Sequence, residues 1–279
     1  MKMKRCAAVH DISCIGKCSL TVALPVLSAM GIEVASVPTA VLSTHTAGFK
    51  GYTFHDLSEE LPKITKHWKK ENLSLDAIYT GYLGSAEQLD FVASMIDDFK
   101  TDDLCVVIDP VMADHGEFYK GFDAAFAQKM AKLCSKADVI IPNLTEAAFL
   151  LGDEYDEGYD REKIEDILVR LAALGPKKVV LTGISYDLPS LGCVVYDSET
   201  EEFGEFFTEK LPLAIHGTGD VYASVFTGAY INGASLIDAA ALACNFTCEC
   251  IKATMDDIKN HWYSVKFEKC LHLLTNLEY

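Results

Sequence analysis

The sequence predicts an α/β protein with a mostly parallel central sheet, and three observations support this. Short apolar, β-branched runs alternate with longer segments of helical periodicity. The runs are too uniformly apolar for half-exposed strands, so helices should cover both faces of the sheet. The alternation ends near residue 191, where two strand patterns flank a polar turn and only helical patterns follow. We therefore expect a small antiparallel hairpin near residues 191–208.

Each element follows from its own pattern. The strands of the parallel sheet are expected at residues 5–9, 34–41, 76–80, 104–109, 138–142 and 177–182. Helices are expected between them at residues 18–30, 57–70, 86–99, 122–135 and 161–174. After the hairpin strands (193–197 and 203–208), helices are expected at 221–232, 237–255 and near 264–277. Gly233 should end the first of these three, since glycine readily adopts the left-handed conformation at a helix end.

Composition limits the classes of function. The chain of 279 residues is 50% hydrophobic and has no repeat or linker-like stretch, so we expect one domain spanning residues 1–279. Its formal net charge of −17 argues against nucleic acid and anionic membranes as partners, and no segment looks like a membrane span. The ten cysteines are scattered without a Cys-x-x-Cys pair. That favours free thiols in a reducing, cytoplasmic compartment over a zinc site.

The most informative segment is Ile-His-Gly-Thr-Gly-Asp at residues 215–220, directly before a helical pattern. Gly217 and Gly219 let the backbone approach a ligand closely. The helix start offers free N–H groups and the positive end of the helix dipole, which suit an anion such as phosphate. Asp220 lies in the same turn and could take a proton from a substrate hydroxyl. The segment predicts phosphoryl transfer; a plain glycine loop capped by Asp220 is the structural alternative.

Polar residues also follow the predicted parallel strands, whose carboxyl ends share one edge of the sheet. They lie at residues 10–11, 43–46, 81–82, 109–114, 143–146 and 182–183. As a set they predict an active site along this edge, although single members such as Asn143 and Thr145 could equally be helix caps.

Two nucleotide-binding motifs fail. Residues 11–18 have a strand-to-helix context, but they have Asp11 where a P-loop needs glycine and Cys18 where it needs serine or threonine. The glycines at 217 and 219 are not followed by a third glycine at Tyr222, so the dinucleotide fingerprint is also absent.

On these residues the chain resembles the ribokinase-like kinases and, within them, the pyridoxal (vitamin B6) kinases. Residues 217–220 are similar to the superfamily's C-terminal signature, and Asn143-Leu-Thr-Glu146 to its Asn-x-x-Glu motif. Ser43-Thr-His45-Thr46 resembles the Ser-Asn-His-Thr segment of pyridoxal kinases. Thr80-Gly-Tyr82-Leu-Gly-Ser85 and Asp109-Pro-Val-Met112 are also typical of that family. The matches run in order from about residue 6 to residue 255.

The resemblance implies a ribokinase-like three-layer αβα sandwich with ATP and the vitamin along one edge of the sheet. It implies ATP-dependent phosphorylation of the 5′-hydroxymethyl group of a B6 vitamer, with Mg²⁺ accompanying ATP, a monovalent cation such as K⁺ as an option, and a homodimer as the assembly. The implied roles are Asp220 as base; Gly217, Thr218, Gly219 and Asp220 as an anion hole; Asp109 and Glu146 for Mg²⁺; Asn143, Glu146, Thr182 and Gly219 for ATP; and Asp11, His45, Thr46, Tyr82 and Tyr119 for the vitamin.

The chain departs from the family pattern at two positions. Thr44 stands where pyridoxal kinases often have asparagine, and Asp11 where several have serine. A carboxylate at residue 11 would favour a protonated pyridine ring. We also expect the helix N-terminus to lower the pKa of Asp220.

Two other functions stay open. Hydroxymethylpyrimidine kinases of thiamine synthesis share the fold, but they typically have Gly-Thr-Gly-Cys where this chain has Asp220. A non-catalytic vitamin-binding protein would need none of Asp220, Asp109 and Glu146.

Overall fold

The computed structural model describes residues 3–187 and 189–277. The strands are β1 (Arg5–Ser13), β2 (Glu33–Leu42), β3 (Phe54–Asp56), β4 (Ala77–Thr80), β5 (Cys105–Ile108), β6 (Ala113–Asp114), β7 (Glu117–Phe118), β8 (Val139–Ile140), β9 (Lys178–Ile184), β10 (Ser190–Asp197) and β11 (Glu202–Glu209). The α-helices are α1 (Leu20–Ala29), α2 (Leu61–Lys70), α3 (Ala86–Phe99), α4 (Ala124–Cys134), α5 (Leu144–Leu151), α6 (Arg161–Ala172), α7 (Thr218–Asn232) and α8 (Leu236–Met255).

Nine strands form one sheet in the order β11-β10-β9-β8-β5-β4-β1-β2-β3. The six central strands, from β9 to β2, pair in parallel. Antiparallel strands flank them, with β3 beside β2 at one edge and the β10–β11 hairpin beside β9 at the other. The α/β class, the parallel sheet and the hairpin are thus confirmed.

Helices cover both faces of the sheet, which completes three layers. One core lies between the sheet and α3, α4 and α6, with Val92, Met130 and Leu168 fully or almost fully buried. The other lies between the sheet and α1, α7 and α8, with Val26 and Phe226 fully buried. Successive residues of β1 alternate between the two cores, as they must in a strand buried on both faces.

Four parts of the chain differ from the sequence-based expectation. The prediction of an α-helix near residues 264–277 is wrong, because this segment forms two short 3₁₀ helices, Phe267–Lys269 and Leu271–Leu274. Its apolar spacing specified which side chains are buried, including Phe267 and Leu274, but not a continuous helix. Helix α5 was not expected, because it has only eight residues and the strand before it, β8, has only two. Strand β3 and the β6–β7 hairpin have at most three residues per strand, too few for periodicity to show.

The remaining expectations concern the cysteines, membrane-spanning helices and the end of α7. All ten cysteines are free thiols. Within the described ranges no helix is both long and apolar enough to cross a membrane. Gly233 ends α7 in the left-handed conformation, as expected.

Candidate active site

Helix α7 begins at the predicted turn. Gly217 precedes the helix with φ of 86°, in the left-handed region. A Cβ atom there would lie 2.9 Å from the carbonyl oxygen of Lys17, so glycine is required both by conformation and by space. No side chain caps this N-terminus or those of α1 and α2, whereas α3, α4, α5, α6 and α8 all have a side-chain cap. Open space lies at Gly219. The first-turn N–H groups are therefore available to an anion.

Asp220 lies in the first turn of α7 and is only partly exposed. Burial raises the pKa of Asp220 to about 7, against the N–H group of Ser19 and the thiol of Cys18, which favour the ionised form. The prediction that the helix N-terminus lowers the pKa of Asp220 is therefore wrong, because loss of hydration outweighs the helix dipole at this position. A carboxylate that changes charge near neutrality is a better proton acceptor than one with an ordinary pKa.

Asp109 and Glu146 are two further buried carboxyl groups, 7% and 3% exposed. Asp109 directly follows β5, and Glu146 lies in the first turn of α5. Burial, followed by the charges of Glu146 and Asp220, holds the pKa of Asp109 well above its ordinary value. Burial also raises the pKa of Glu146. We call Asp109, Glu146 and Asp220 the carboxylate cluster.

Backbone hydrogen bonds hold the carboxylate of Glu146 in place. Glu146 accepts from the backbone N–H of Asn143 at 2.9 Å and from that of Met112 at 3.1 Å, one at each oxygen. Together with Asn143 it forms a capping box. No ion pair found among residues 3–187 and 189–277 involves any member of the carboxylate cluster. Buried carboxylates without a positive partner suit a bound cation.

The described side chains do not build a complete metal site by themselves. They include no group of three or more His, Cys, Asp or Glu residues placed to hold an ion. Mg²⁺ commonly takes one or two carboxylates and completes its shell with water and substrate phosphate oxygens. Asp109 and Glu146 fit that pattern, with Asp109 the freer ligand.

Asn143 and Thr182 meet across the ends of β8 and β9, where they form an isolated bridge. The Asn143 side chain accepts from the N–H of Glu146 and donates to the carbonyl of Ala113, each at 2.9 Å. The Thr182 hydroxyl donates to the carbonyl of Pro142 at 3.3 Å. Asn143 is thus a helix cap, which was the alternative interpretation of this residue. Both side chains hold backbone groups in place at the edge of the sheet.

Asp11, near the carboxyl end of β1, and Tyr82, two residues after β4, lie close together. Asp11 is buried and accepts from the Ser13 hydroxyl at 3.3 Å, and burial raises its pKa. Burial and then the Asp11 charge raise the pKa of Tyr82 to about 12, with Tyr52 contributing less. Tyr52 was not among the predicted vitamin-binding residues.

His45 is buried with both ring nitrogens in use. Nε2 donates to the carbonyl of Tyr263 at 2.7 Å, and Nδ1 accepts from the N–H of Ala47 at 3.1 Å. The ring packs against Gly16, where a Cβ would lie 2.3 Å from its Cδ2 atom. His45 therefore offers a ring face and not a free nitrogen. We call Asp11, His45 and Tyr82 the Asp11 group.

The other two predicted vitamin-binding residues, Thr46 and Tyr119, lie outside the Asp11 group. Thr46 is exposed on the loop after β2. Tyr119 is 41% exposed, and after burial the charges that raise its pKa are Glu146, Asp114, Asp109 and Asp220. The Tyr119 hydroxyl therefore lies nearer to the carboxylate cluster than to Asp11.

Sequence reasoning missed two residues beside Asp220. Cys18 and Ser19 directly precede α1, and both act on the pKa of the Asp220 carboxylate. Cys18 did appear in the rejected P-loop segment, but only as a residue that broke the motif. Nothing in the local pattern indicated that this turn returns to the start of α7, which is about 200 residues further along the chain.

The chain matches one protein family over most of its length. A family model described as phosphomethylpyrimidine kinase matches residues 22–264. A Bacteroides thetaiotaomicron protein described as a phosphomethylpyrimidine kinase has the same fold in a rhombohedral crystal form (39% identity, TM-score 0.96, covering 100% of this chain and 96% of that one). An orthorhombic form with pyridoxal is 40% identical (TM-score 0.93, 98% and 96% covered). Pyridoxal kinase from Lactobacillus plantarum is 32% identical (TM-score 0.90, 98% and 97% covered).

Curated relatives divide between two activities. Pyridoxal kinase of Arabidopsis thaliana is 28% identical over 85% of this chain and 78% of its own length. Hydroxymethylpyrimidine/phosphomethylpyrimidine kinase of Bacillus subtilis is 28% identical over 79% of each. The chain spans less than half (44%) of the bifunctional thiamine enzyme TH1 of Arabidopsis thaliana, at 27% identity over 84% of this chain. The chain therefore belongs to the phosphomethylpyrimidine kinase family, among the ribokinase-like kinases that include the pyridoxal kinases.

Proposed function

We propose that the chain phosphorylates the 5′-hydroxymethyl group of a B6 vitamer with ATP and so returns the vitamin to its phosphate form. The observation that carries this proposal is Asp220, a carboxyl group with a pKa near neutrality, in the same turn as an uncapped helix N-terminus. A proton acceptor and an anion site within one helical turn are what transfer of a phosphoryl group to an alcohol requires.

The start of α7 would bind the transferring group. The first-turn N–H groups of Thr218 to Asp220 have no side-chain cap, and open space lies beside Gly219 in the same turn. Such donors stabilise charge that develops on phosphoryl oxygens in the transition state. Asp220 would accept the proton of the acceptor hydroxyl as the new P–O bond forms.

The other two members of the carboxylate cluster would hold Mg²⁺. When bound, the ion would neutralise phosphate charge and orient the nucleotide. Asp109 would bind it directly, and Glu146, with each oxygen already accepting a backbone N–H, would act partly through water. Asn143 and Thr182 keep their assignment to the nucleotide side as backbone-positioning residues. A K⁺ requirement, a homodimer and a cytoplasmic location stay predictions.

The Asp11 group would bind the ring of the vitamin. Asp11 offers a buried carboxyl oxygen, Tyr82 a hydroxyl that stays protonated at neutral pH, and His45 an aromatic wall. A pyridine ring with a ring nitrogen and a phenolic oxygen matches one acceptor and one donor. The likeness to a protein crystallised with pyridoxal supports this choice of ring.

The alternative acceptor is hydroxymethylpyrimidine. Sequence relatives do not decide between the two, since a pyridoxal kinase and a pyrimidine kinase are each 28% identical to this chain. Asp220 favours the vitamin, because pyrimidine kinases typically have cysteine at that position of the motif.

A substrate panel tests the proposal. ADP release is measured with Mg-ATP and, in separate reactions, pyridoxal, pyridoxamine, pyridoxine and hydroxymethylpyrimidine. The proposal predicts the highest kcat/KM for one of the three vitamers. The pyrimidine kinase alternative predicts the reverse, and a non-catalytic binding protein predicts no release above the ATP-only control.

A further inference from the structure

Two loops that are far apart in the sequence meet beside the Asp11 group. The first loop, residues 43–53, connects β2 to β3, and the second loop, residues 256–266, follows α8. Phe49 of the first loop packs against Trp262 and Tyr263 of the second, with ring centroids 4.9 and 5.8 Å apart. We call Phe49, Trp262 and Tyr263 the aromatic clasp.

Trp262 lies directly on the backbone of the first loop. Gly48 has φ of 82°, in the left-handed region, and a Cβ atom there would lie 2.7 Å from the Cζ3 atom of Trp262. Glycine is therefore required at residue 48 both by conformation and by space. Trp262 is 44% exposed. Because so exposed a side chain contributes little to a core, its main structural effect is to cover the first loop.

The aromatic clasp is joined to the Asp11 group through His45. The His45 and Phe49 rings lie edge to face, with centroids 5.0 Å apart. His45 Nε2 bonds to the carbonyl of Tyr263, and Nδ1 accepts from the N–H of Ala47. A carbonyl only accepts and an amide N–H only donates, so the ring is neutral with its proton on Nε2. Both loops therefore fix the orientation of His45.

The His45 ring also lies close to the start of α7. Its centroid is 5.6 Å from that of His216, which directly precedes Gly217 of the anion-binding turn. His45 thus connects the aromatic clasp with the turn that carries Asp220. A movement of the first loop would shift this ring relative to both.

The second loop is itself held to the body of the protein. The Lys266 N–H donates to the Thr254 hydroxyl at 2.8 Å, and the Lys266 side chain pairs with Asp257. The first loop is closed at its base, where the N–H of Ser43 donates to the Thr53 carbonyl at 3.2 Å and the N–H of Thr53 to the Ser43 hydroxyl at 2.9 Å. The aromatic clasp therefore acts between a fixed support and the tip of the first loop.

We propose that Trp262 is a positioning residue for the acceptor site, which holds the first loop in place through Gly48 and Phe49 and so raises the affinity for the acceptor ring. The proposal rests on the proposed function for the identity of that ring. The contact between the two loops does not depend on any substrate, so it can be tested separately.

The first test measures hydrogen exchange of residues 45–50 by mass spectrometry in the ligand-free protein. Trp262→Ala should speed their exchange about tenfold, since the loss of aromatic packing makes local opening of the loop easier. Trp68→Ala is the matched control, because Trp68 is the other of the two tryptophans and packs on α2 against Phe99. It should leave exchange in the first loop unchanged. Wild-type exchange of residues 45–50 in Trp262→Ala overturns the proposal, whatever the substrate of the kinase is.

The second test separates positioning from general packing by steady-state kinetics. Trp262→Ala should raise the KM for pyridoxal about threefold, less than the loss of a direct contact, with kcat and the KM for ATP unchanged. Trp262→Phe keeps an aromatic ring on Gly48 and should restore most of the affinity, and Trp68→Ala should change neither KM. A wild-type KM for pyridoxal in Trp262→Ala, or equal rises in both KM values, contradicts positioning. A wild-type protein inactive on every vitamer contradicts the proposed function instead, and the exchange measurement then decides the role of the aromatic clasp.

Discussion

The carboxylate cluster and the Asp11 group lie along the same edge of the sheet, but their buried polar groups differ in how far the protein itself satisfies them. In the cluster, Asp109 and Asp220 have raised pKa values from burial, and neither has a basic partner among the described residues. In the Asp11 group, both nitrogens of His45 are hydrogen-bonded to backbone and Asp11 accepts from Ser13, although burial raises the pKa of Asp11 as well. Unpaired buried charge costs stability unless a ligand compensates it. The comparison assigns the chemistry to the cluster and recognition of the ring to the Asp11 group.

The largest expected effect is at Asp220. Asp220→Asn keeps the size of the side chain and removes the proton acceptor, so kcat should fall by about 10² to 10⁴. Nucleotide binding, measured by calorimetry, should change little. Turnover close to wild type would remove Asp220 from the chemistry.

The Mg²⁺ site should be asymmetric. Asp109→Asn should raise the Mg²⁺ concentration for half-maximal activity by about tenfold or more, since it removes a direct ligand. Glu146→Gln should shift that concentration less and lower Tm more, because Glu146 holds two backbone N–H groups. Identical Mg²⁺ titrations in wild type and both variants would contradict a metal role for the pair.

The Asp11 group should separate ring binding from loop stability. Asp11→Ala should raise the KM for the vitamin about tenfold, equivalent to one to two kcal/mol of binding, with the KM for ATP unchanged. His45→Ala should mainly lower Tm, since it breaks the contact with Tyr263. An equal KM increase in both variants with unchanged Tm would contradict this separation.

The smallest effect is on stability as a function of pH. The pKa of Asp220 in the folded protein is about 7, above its ordinary 3.8, so ionisation opposes folding. The stability that the protonated group contributes is present below about pH 4 and is lost as pH rises through about 7. In Mg²⁺-free, ligand-free buffer, the Tm of Asp220→Asn should therefore exceed that of wild type increasingly between pH 4 and 8. A constant Tm difference across this range would contradict the raised pKa.

The sequence predicted the layers of the fold and the edge that carries the site. Alternating buried runs and helices predicted the parallel sheet, the residues after one such run included Asp109, and the Gly-Thr-Gly-Asp segment included Asp220. What it could not show are contacts between distant segments. The hydrogen bond of His45 to Tyr263 and the approach of Cys18 to the turn that carries Asp220 join residues about 200 positions apart. The raised pKa of Asp220 comes from burial in the folded chain, which a local helix-dipole argument leaves out, so that argument gave the wrong sign.

The most direct test of the account is a competition between the two candidate acceptors. Wild-type protein is given Mg-ATP with equal concentrations of pyridoxal and hydroxymethylpyrimidine, and both phosphate esters are quantified by mass spectrometry at early times. The ratio of products equals the ratio of the two kcat/KM values. The account predicts that pyridoxal 5′-phosphate is the main product and that Asp220→Asn forms almost none. Predominant formation of hydroxymethylpyrimidine phosphate by the wild-type protein would contradict it.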